Sequence, residues 1–230
     1  MTGTFINVGA VLAGTAIGLL VGERLSEGAR QRVLAGLGLI TLVVGVDLAL
    51  AWRDTDPLYV LGGVLLGGLV GEAIGIEAWL GRLGDRIQAT VSRGEHSRVS
   101  EAFVTASLLF CVGPLTVVGA IQDGLTGDYD ALATKSMLDG FASIALAATL
   151  GWGVALAAGT VLVVQGALSL AAGLFEDVLK GDALSALTSA GGILIIGISL
   201  KLLDLKDVRV GNFLPALVIA PGLVGLADLL

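Results

Sequence analysis

The sequence predicts an all-α membrane protein, a polytopic bundle of helices that cross the bilayer about eight times. Its composition supports this prediction, because 55% of the residues are hydrophobic and only 14% are charged. A typical soluble domain is about 25% charged. The apolar residues also fall in long blocks, close to the length that a membrane-spanning helix needs. The 35 glycines fit helices that pack closely on one another within a bilayer.

Eight apolar segments are interpreted as spans, and residues 1–230 as a single integral membrane domain. The predicted spans are 4–22, 34–52, 58–76, 102–121, 132–150, 152–174, 188–203 and 212–229. No charge marks the division at Gly151-Trp152-Gly153, so a seven-span count is the alternative. The first span begins without basic residues or a small-residue cleavage site, which predicts that it is retained.

The basic residues indicate the orientation of the chain. Most of them lie in three connectors, at 23–33, 77–101 and 201–211. With eight spans these connectors share one side of the membrane, and basic connectors are typically cytoplasmic. We therefore expect the basic loops inside the cell and both termini outside. Within 77–101, apolar residues recur at spacings of three and four, which predicts an amphipathic cytoplasmic linker helix. A regulatory or lipid-sensing element is the alternative.

Glycines recur at every fourth residue in the first and third spans. They are Gly14, Gly18 and Gly22 in the first span, and Gly63, Gly67, Gly71 and Gly75 in the third. A spacing of four places them on one helix face, where two backbones can approach closely. We expect this packing between helices of one subunit, and a homo-oligomer seam is the alternative.

A faint long-range repeat links the two ends of the chain. Residues 45–50 resemble 197–202, and 68–71 recur as 222–225. Spans one to three would then match spans six to eight, which run in the opposite direction when there are eight spans. This pattern predicts an inverted repeat, an architecture that many transporters share.

The stretch 103–144 contains the candidate site. Its apolar segment is interrupted by Gly113 and Pro114, and proline lacks the N–H that would bond the carbonyl of Phe110. Hydrocarbon cannot satisfy that oxygen, so another group must. A broken helix facing a charged helix start is a layout that membrane proteins use for binding. A simple kink with an interfacial salt bridge is the alternative.

Few polar residues lie in or beside the spans, and seven of them form the hypothetical substrate- or ion-binding set. They are Asn7, Glu72, Gln122, Asp123, Lys135, Asp139 and Asn212. Lys135 and Asp139 share a helix face and can neutralise each other, or Asp123 and Asp139 can converge on a cation. Helix capping is the simpler interpretation of both asparagines, since each opens a predicted span.

Several function classes fit the sequence poorly. One cysteine and one histidine cannot form a disulfide framework or a Cys/His metal site, so we expect no metal and no cofactor. His96 lies in the linker, away from any nucleophile, and no phosphate-binding loop is present; we expect no enzyme. A net charge of −7 argues against nucleic acid. The expected partners are the lipid bilayer and a small solute or ion.

Four motifs occur in an order that indicates a family. They are Gly3-Thr4-Phe5-Ile6-Asn7, Phe110-Cys111-Val112-Gly113 with Gly119 and Gln122-Asp123-Gly124, Lys135-Ser136-Met137-Leu138-Asp139-Gly140, and Asn212-Phe213-Leu214-Pro215. Together they resemble the prokaryotic domain of unknown function 554 family over essentially the whole chain. Pro114-Leu115 departs from the serine and methionine that members often carry, so the resemblance does not extend to the kink.

The resemblance implies a multi-span protein of the prokaryotic plasma (inner) membrane, often labelled a possible transporter, with no established substrate. We therefore predict a membrane transporter or channel for a small solute or ion. Its site is expected between the stretch 103–144 and spans one, three and eight. The alternative is a non-transporting structural or regulatory component that acts through association of its glycine-faced helices.

Overall fold

The structure, a computed structural model, describes residues 1–91, 98–175 and 179–227, and every regular element in them is helical, as predicted. The α-helices are α1 (Thr2–Gly22), α2 (Glu27–Ala49), α3 (Pro57–Ile74), α4 (Ile76–Val91), α5 (Val99–Cys111), α6 (Pro114–Leu125), α7 (Asp130–Leu150), α8 (Val154–Leu170), α9 (Ala172–Phe175), α10 (Gly181–Leu202) and α11 (Ala216–Ala227). Short 3₁₀ helices cover Leu50–Asp54 and Val210–Phe213.

Each predicted span corresponds to a helix or a helix pair, but several helices extend beyond the apolar block. For example, α2 begins at Glu27 and α10 at Gly181, ahead of the predicted starts at 34 and 188. Hydrophobicity marks the part of a helix that suits hydrocarbon, whereas the helix itself continues into polar surroundings. The linker helix α4 occupies the first part of the predicted 77–101, and His96 lies outside the described residues.

Among the described residues, five helical segments are long and apolar enough to cross a membrane. A sixth is obtained when α5 and α6, whose axes differ by 61°, are taken as one broken span. Helix α7 is long enough at 21 residues but carries three charged side chains, and α8 is shorter at 17 residues. The count of eight spans therefore stays a prediction.

The chain divides between α7 and α8 at the point that Gly151 marked in the sequence. Helix α7 ends at Leu150, and α8 begins at Val154. Gly151 has a φ of +90°, a conformation that side-chain-bearing residues rarely adopt. The turn is therefore built on a glycine, and the predicted separation of two helices is confirmed.

The helices form two compact units. Unit 1 comprises Met1–Leu37, Ala78–Cys111 and Leu115–Gly173, and unit 2 comprises Gly38–Glu77, Val112–Pro114 and Leu174–Leu230. Each unit has its own close helix packing.

In unit 1, the glycine face of α1 lies against α7, and the two helices run parallel. The facing pairs are Gly3 with Leu132, Gly14 with Gly140, Gly18 with Ile144 and Gly22 with Ala148. Side chains at Gly14 or Gly18 would collide with carbonyl oxygens of α7, so only glycine allows this approach.

Helix α8 of unit 1 runs parallel to α5 and α6. The hydroxyls of Ser107 and Thr160 are 3.0 Å apart, and Ser169 Oγ donates to the Ala120 carbonyl at 2.9 Å.

In unit 2, the glycine face of α3 lies against α11 and the 3₁₀ helix before it, and these segments run antiparallel. The facing pairs are Gly63 with Ala220, Gly67 with Ala216 and Gly71 with Asn212. The second half of α2 is antiparallel to α10, because Gly38 faces Leu203, Gly45 faces Ile196 and Ala49 faces Gly192. Close glycine contacts therefore occur within the chain in both units.

Candidate functional site

A buried ion pair with an attached asparagine, named here the ion-pair cluster, lies between α1 and α7 of unit 1. Lys135 and Asp139 are only 5% and 6% exposed. The Lys135 ammonium group donates to Asp139 Oδ2, and Asn7 Nδ2 donates to the same oxygen at 2.9 Å. The spacing of four puts both charges on one face of α7, and the parallel packing of α1 brings Asn7 to them.

The position of Asn7 corrects the capping interpretation. Helix α1 begins at Thr2, so Asn7 lies inside the helix, where its side chain cannot cap the first turn. It is fully buried and bonds Asp139 instead. The helix begins two residues before the predicted start of the span at 4, and both Gly3 and Thr4 are buried.

The helix break lies at the end of α5, which packs against α7. Helix α5 stops at Cys111 and α6 begins at Pro114, so the predicted break at Gly113-Pro114 is observed. Because α7 carries Lys135 and Asp139, the broken segment contacts the same helix as the ion pair.

The carbonyl of Phe110, which the proline was expected to leave without a helical partner, accepts a hydrogen bond from Thr116 Oγ1 at 2.9 Å. Thr116 is fully buried and was missed in the sequence. Its position two residues after the proline is the signal that was available, because Ser and Thr hydroxyls often satisfy carbonyls freed by a helix break.

Unit 1 also contains buried polar atoms to which the described residues offer no hydrogen-bond partner. They are Thr4 Oγ1, Asn7 Oδ1, Arg30 Nε, Ser143 Oγ, and both amide atoms of Gln165. Apart from Arg30 of α2, these side chains belong to α1, α7 and α8, and α1 packs against both of the others. A buried polar group without a partner costs about 1–3 kcal/mol, so each of them is a position where a solute, ion or water can bond.

Asp123 lies at the start of α1 rather than in the ion-pair cluster. It is 3% exposed, and its two carboxylate oxygens accept from the Met1 amino group and from the Gly3 N–H, each at 3.0 Å. A carboxylate at this end of a helix is stabilised by the helix dipole. The neighbouring Gln122 is exposed. Asp123 therefore has hydrogen-bond partners different from those of Asp139, and Gln122 differs from Asp139 in being exposed.

Asn212 forms a second polar cluster, which lies in unit 2. Its Oδ1 accepts from the N–H of Glu77 at 2.8 Å, and its Nδ2 donates to Glu72. The Glu77 carboxylate in turn accepts from the Gly211 N–H at 2.6 Å. Asn212 therefore caps α4, not the helix that follows it, which corrects the capping interpretation here as well.

Glu72 lies at the surface of this second cluster. It is in the last turn of α3, its side chain is 62% exposed, and it pairs with Arg209 at 3.3 Å. The predicted site residues are thus distributed over local clusters: Asn7, Lys135 and Asp139 meet directly, Asp123 holds the start of α1, and Glu72 and Asn212 belong to unit 2. Within residues 1–91, 98–175 and 179–227, no three His, Cys, Asp or Glu side chains are grouped to hold a metal ion.

The family model described as protein of unknown function (DUF554) matches residues 2–225 of the chain. The chain belongs to this family. The resemblance seen in its four motifs is thereby confirmed.

Relatives in two bacteria are similar to the chain over nearly all of its length. The uncharacterized membrane protein YdfK of Bacillus subtilis (strain 168) is 33% identical over 224 residues, 96% of this chain and 94% of the relative. The uncharacterized protein YqgA of Escherichia coli (strain K12) is 31% identical over 222 residues, 95% of this chain and 94% of the relative. No solved structure matches the chain. One relative is named as a membrane protein, and the chain has apolar helices long enough to cross a membrane. This DUF554 chain is therefore a membrane protein.

Proposed function

We propose that the protein is a transporter or channel for a small solute or ion, and that unit 1 binds this solute at the ion-pair cluster. The observation that carries the proposal is the burial of Lys135 and Asp139 in α7, a helix of 21 residues that packs against α5. Ionisable residues inside membrane helices are rare and commonly mark substrate or ion pathways.

Energetics favour a functional reason for this pair. Taking two charges out of water costs several kcal/mol per ion, and replacing a buried ion pair by apolar side chains is often neutral or stabilising. A protein that needed only stability would therefore gain little from Lys135 and Asp139. Binding of a solute to either charge is a function that apolar residues cannot perform.

The unsatisfied atoms around the pair supply further contacts. Asn7 Oδ1 is an acceptor on a side chain that already bonds Asp139, and Ser143 is one helical turn along the same face of α7. Together they offer acceptor oxygens and hydroxyl donors close to one positive and one negative charge. Such a set suits a small polar or ionic solute.

The helix directions support eight crossings. Helices α1 and α7 run parallel, so an odd number of crossings separates them, as is the case when α2, α3 and the broken α5–α6 segment each cross once. Parallel α5 and α8, and antiparallel α3 and α11, agree with the same count. We infer a plasma-membrane protein with basic connectors in the cytoplasm and both termini outside.

The packing of unit 2 supports the inverted repeat. A two-fold axis in the membrane plane makes each helix run in the direction opposite to that of its repeat mate. The mates proposed from the sequence are α2 with α10 and α3 with α11, and both pairs are antiparallel and in contact. The structural alternative, association of copies through glycine faces, is less favoured because Gly14, Gly18, Gly63, Gly67 and Gly71 already contact helices of the same chain.

The test is a search for ligands by thermal stability, followed by flux. The detergent-purified protein is melted with a panel of inorganic ions, amino acids and small organic acids. A ligand at a hundred times its dissociation constant adds about 2.7 kcal/mol of stability, enough to raise the melting temperature measurably. A ligand found in this way is then tested for uptake into proteoliposomes.

Two variants locate the site. Lys135→Met/Asp139→Leu removes both charges together, so we expect it to fold while losing the melting response and the flux. Asp130→Asn removes an exposed charge from the start of the same helix and is expected to respond like the unmodified protein. A ligand response that persists in the double variant, or no flux for any ligand that stabilises the protein, contradicts the proposal.

A further inference from the structure

Helix α4 has a cavity on its exposed side that neither the family nor the proposed transport site explains. The cavity has a volume of about 250 Å³ and is lined by Trp79, Arg82, Leu83 and Arg86. Spacings of three and four place these residues on one helix face. Trp79 is 56% exposed, so a large aromatic ring and two guanidinium groups border an open cavity.

Contacts in unit 1 place this helix at the level where α5 begins. Ser100 Oγ donates to the carbonyl of Gly81 at 3.3 Å, and Gly84 packs on the backbone and side chain of Ser100. Helix α4 also follows directly on the end of α3, after Gly75. Because α3 and α5 are both apolar helices, α4, which follows the end of the first and contacts the start of the second, lies at the membrane surface.

We propose that this cavity binds the headgroup of an anionic phospholipid. A guanidinium group presents a planar fork of N–H donors that matches the oxygens of a phosphate. Tryptophan is enriched at the membrane–water interface, where its indole ring lies at the depth of the headgroups. Leu83 supplies an apolar wall, and the cavity is smaller than the about 300–1,000 Å³ typical of sites for drug-sized ligands, which suits a headgroup.

Charge complementarity identifies the lipid class. In residues 1–91, 98–175 and 179–227, Arg82 forms none of the ion pairs of the fold. Basic residues beside a membrane are attracted to anionic lipids of the cytoplasmic leaflet, and the three basic connectors place α4 on that side. A phosphate diester carried by a lipid gives the Arg82 guanidinium an anionic partner and also keeps α4 against the bilayer at the start of the broken helix.

The experiment measures lipid binding by the full-length protein in detergent. Its melting temperature is recorded while phosphatidylglycerol, phosphatidylcholine or inorganic phosphate is added. We expect phosphatidylglycerol to raise the melting temperature at a far lower concentration than the other two. Arg82→Gln should weaken the apparent affinity for phosphatidylglycerol about fivefold, the loss expected for one basic residue near an anionic surface, and Arg86→Gln should do the same.

Arg32→Gln is the matched control, because Arg32 is also an exposed arginine of a basic connector region and its loss changes the net charge equally. Its affinity for phosphatidylglycerol should equal that of the unmodified protein. The proposal is overturned if Arg82→Gln binds normally, or if Arg32→Gln is weakened equally, which would indicate general surface charge. If phosphatidylcholine has the same effect as phosphatidylglycerol, the cavity does not select anionic headgroups and the proposal is overturned. If inorganic phosphate has the same effect, the cavity is a site for free anions, and the proposal is overturned as well.

Discussion

At the residue scale, one carboxylate oxygen of Asp139 joins two helices, since Lys135 of α7 and Asn7 of α1 both donate to it. The spacing of Lys135 and Asp139 predicted that they would share a face, and this is confirmed. The partnership with Asn7 could not be predicted from spacing, because the residues are separated by more than half of the chain. It depends on the parallel packing of α1 on α7.

The ion pair leads to a prediction about stability. Lys135→Met leaves the carboxylate of Asp139 buried without its cation, and Asp139→Leu leaves the ammonium of Lys135 without its anion. Each single change should destabilise the protein by about 3–5 kcal/mol, whereas the double change should recover most of that loss. Thermal unfolding in detergent measures the three variants side by side. Additive losses in the double variant would show that the two charges do not act as a pair.

At the scale of an element, α1 is a helix whose glycines have different surroundings. Gly14 is buried against the backbone of α7, whereas no atom lies within 4 Å of a side chain placed at Gly9. The sequence identified the regular spacing of Gly14 and Gly18, and close packing is the physical reason for that spacing. The partner helix was not predictable, because several apolar helices can accept a smooth face.

These glycines allow a matched test in one helix. Gly14→Ala adds a methyl group where the backbone of Gly140 lies too close, and such overpacking typically costs about 1–3 kcal/mol. Gly9→Ala makes the same chemical change in open surroundings and should be neutral or stabilise by up to about 1 kcal/mol, because alanine favours the helix. Melting temperatures of the two variants in detergent are compared with that of the unmodified protein. Equal effects at both positions would contradict a specific contact at Gly14.

In the broken helix, too, one feature follows from the local sequence and another depends on the fold. Pro114 predicted the break, and the break is found between Cys111 and Pro114. Proline acts through its own ring and missing N–H, so its effect can be deduced from the sequence alone. The group that satisfies the Phe110 carbonyl depends on how the chain turns, and the structure identifies it as the hydroxyl of Thr116.

At the scale of the whole molecule, the number of crossings decides on which side each connector lies. With eight spans, the turn that contains Asp128 is outside, and the connector that contains Lys206 is in the cytoplasm. A seven-span count would place both outside. The separate helices α7 and α8 and the distribution of basic residues both favour eight crossings.

Site-directed cysteine labelling in intact cells tests this topology. Cys111 is the only cysteine, so Cys111→Ala provides a background without thiols. In that background we expect Asp128→Cys to react with a membrane-impermeant maleimide in intact cells. Lys206→Cys should react only after the cells are permeabilised. Both positions are exposed, so reaction of Lys206→Cys in intact cells would instead support seven crossings.

The sequence by itself determined the membrane class, the family and the helix break, because these follow from composition, from short motifs and from the chemistry of Pro114. It left the separation of α7 from α8 open, and the structure shows the turn at Gly151. The tertiary structure decided which side chains meet. Parallel packing of α1 on α7 brings Asn7 to Asp139. Other contacts place Asp123 at the start of α1 and join Glu72 to Asn212 in a separate cluster of unit 2. These contacts join residues that are distant in sequence, and apolar helices of similar composition offer many alternative pairings, so only the packed chain selects among them.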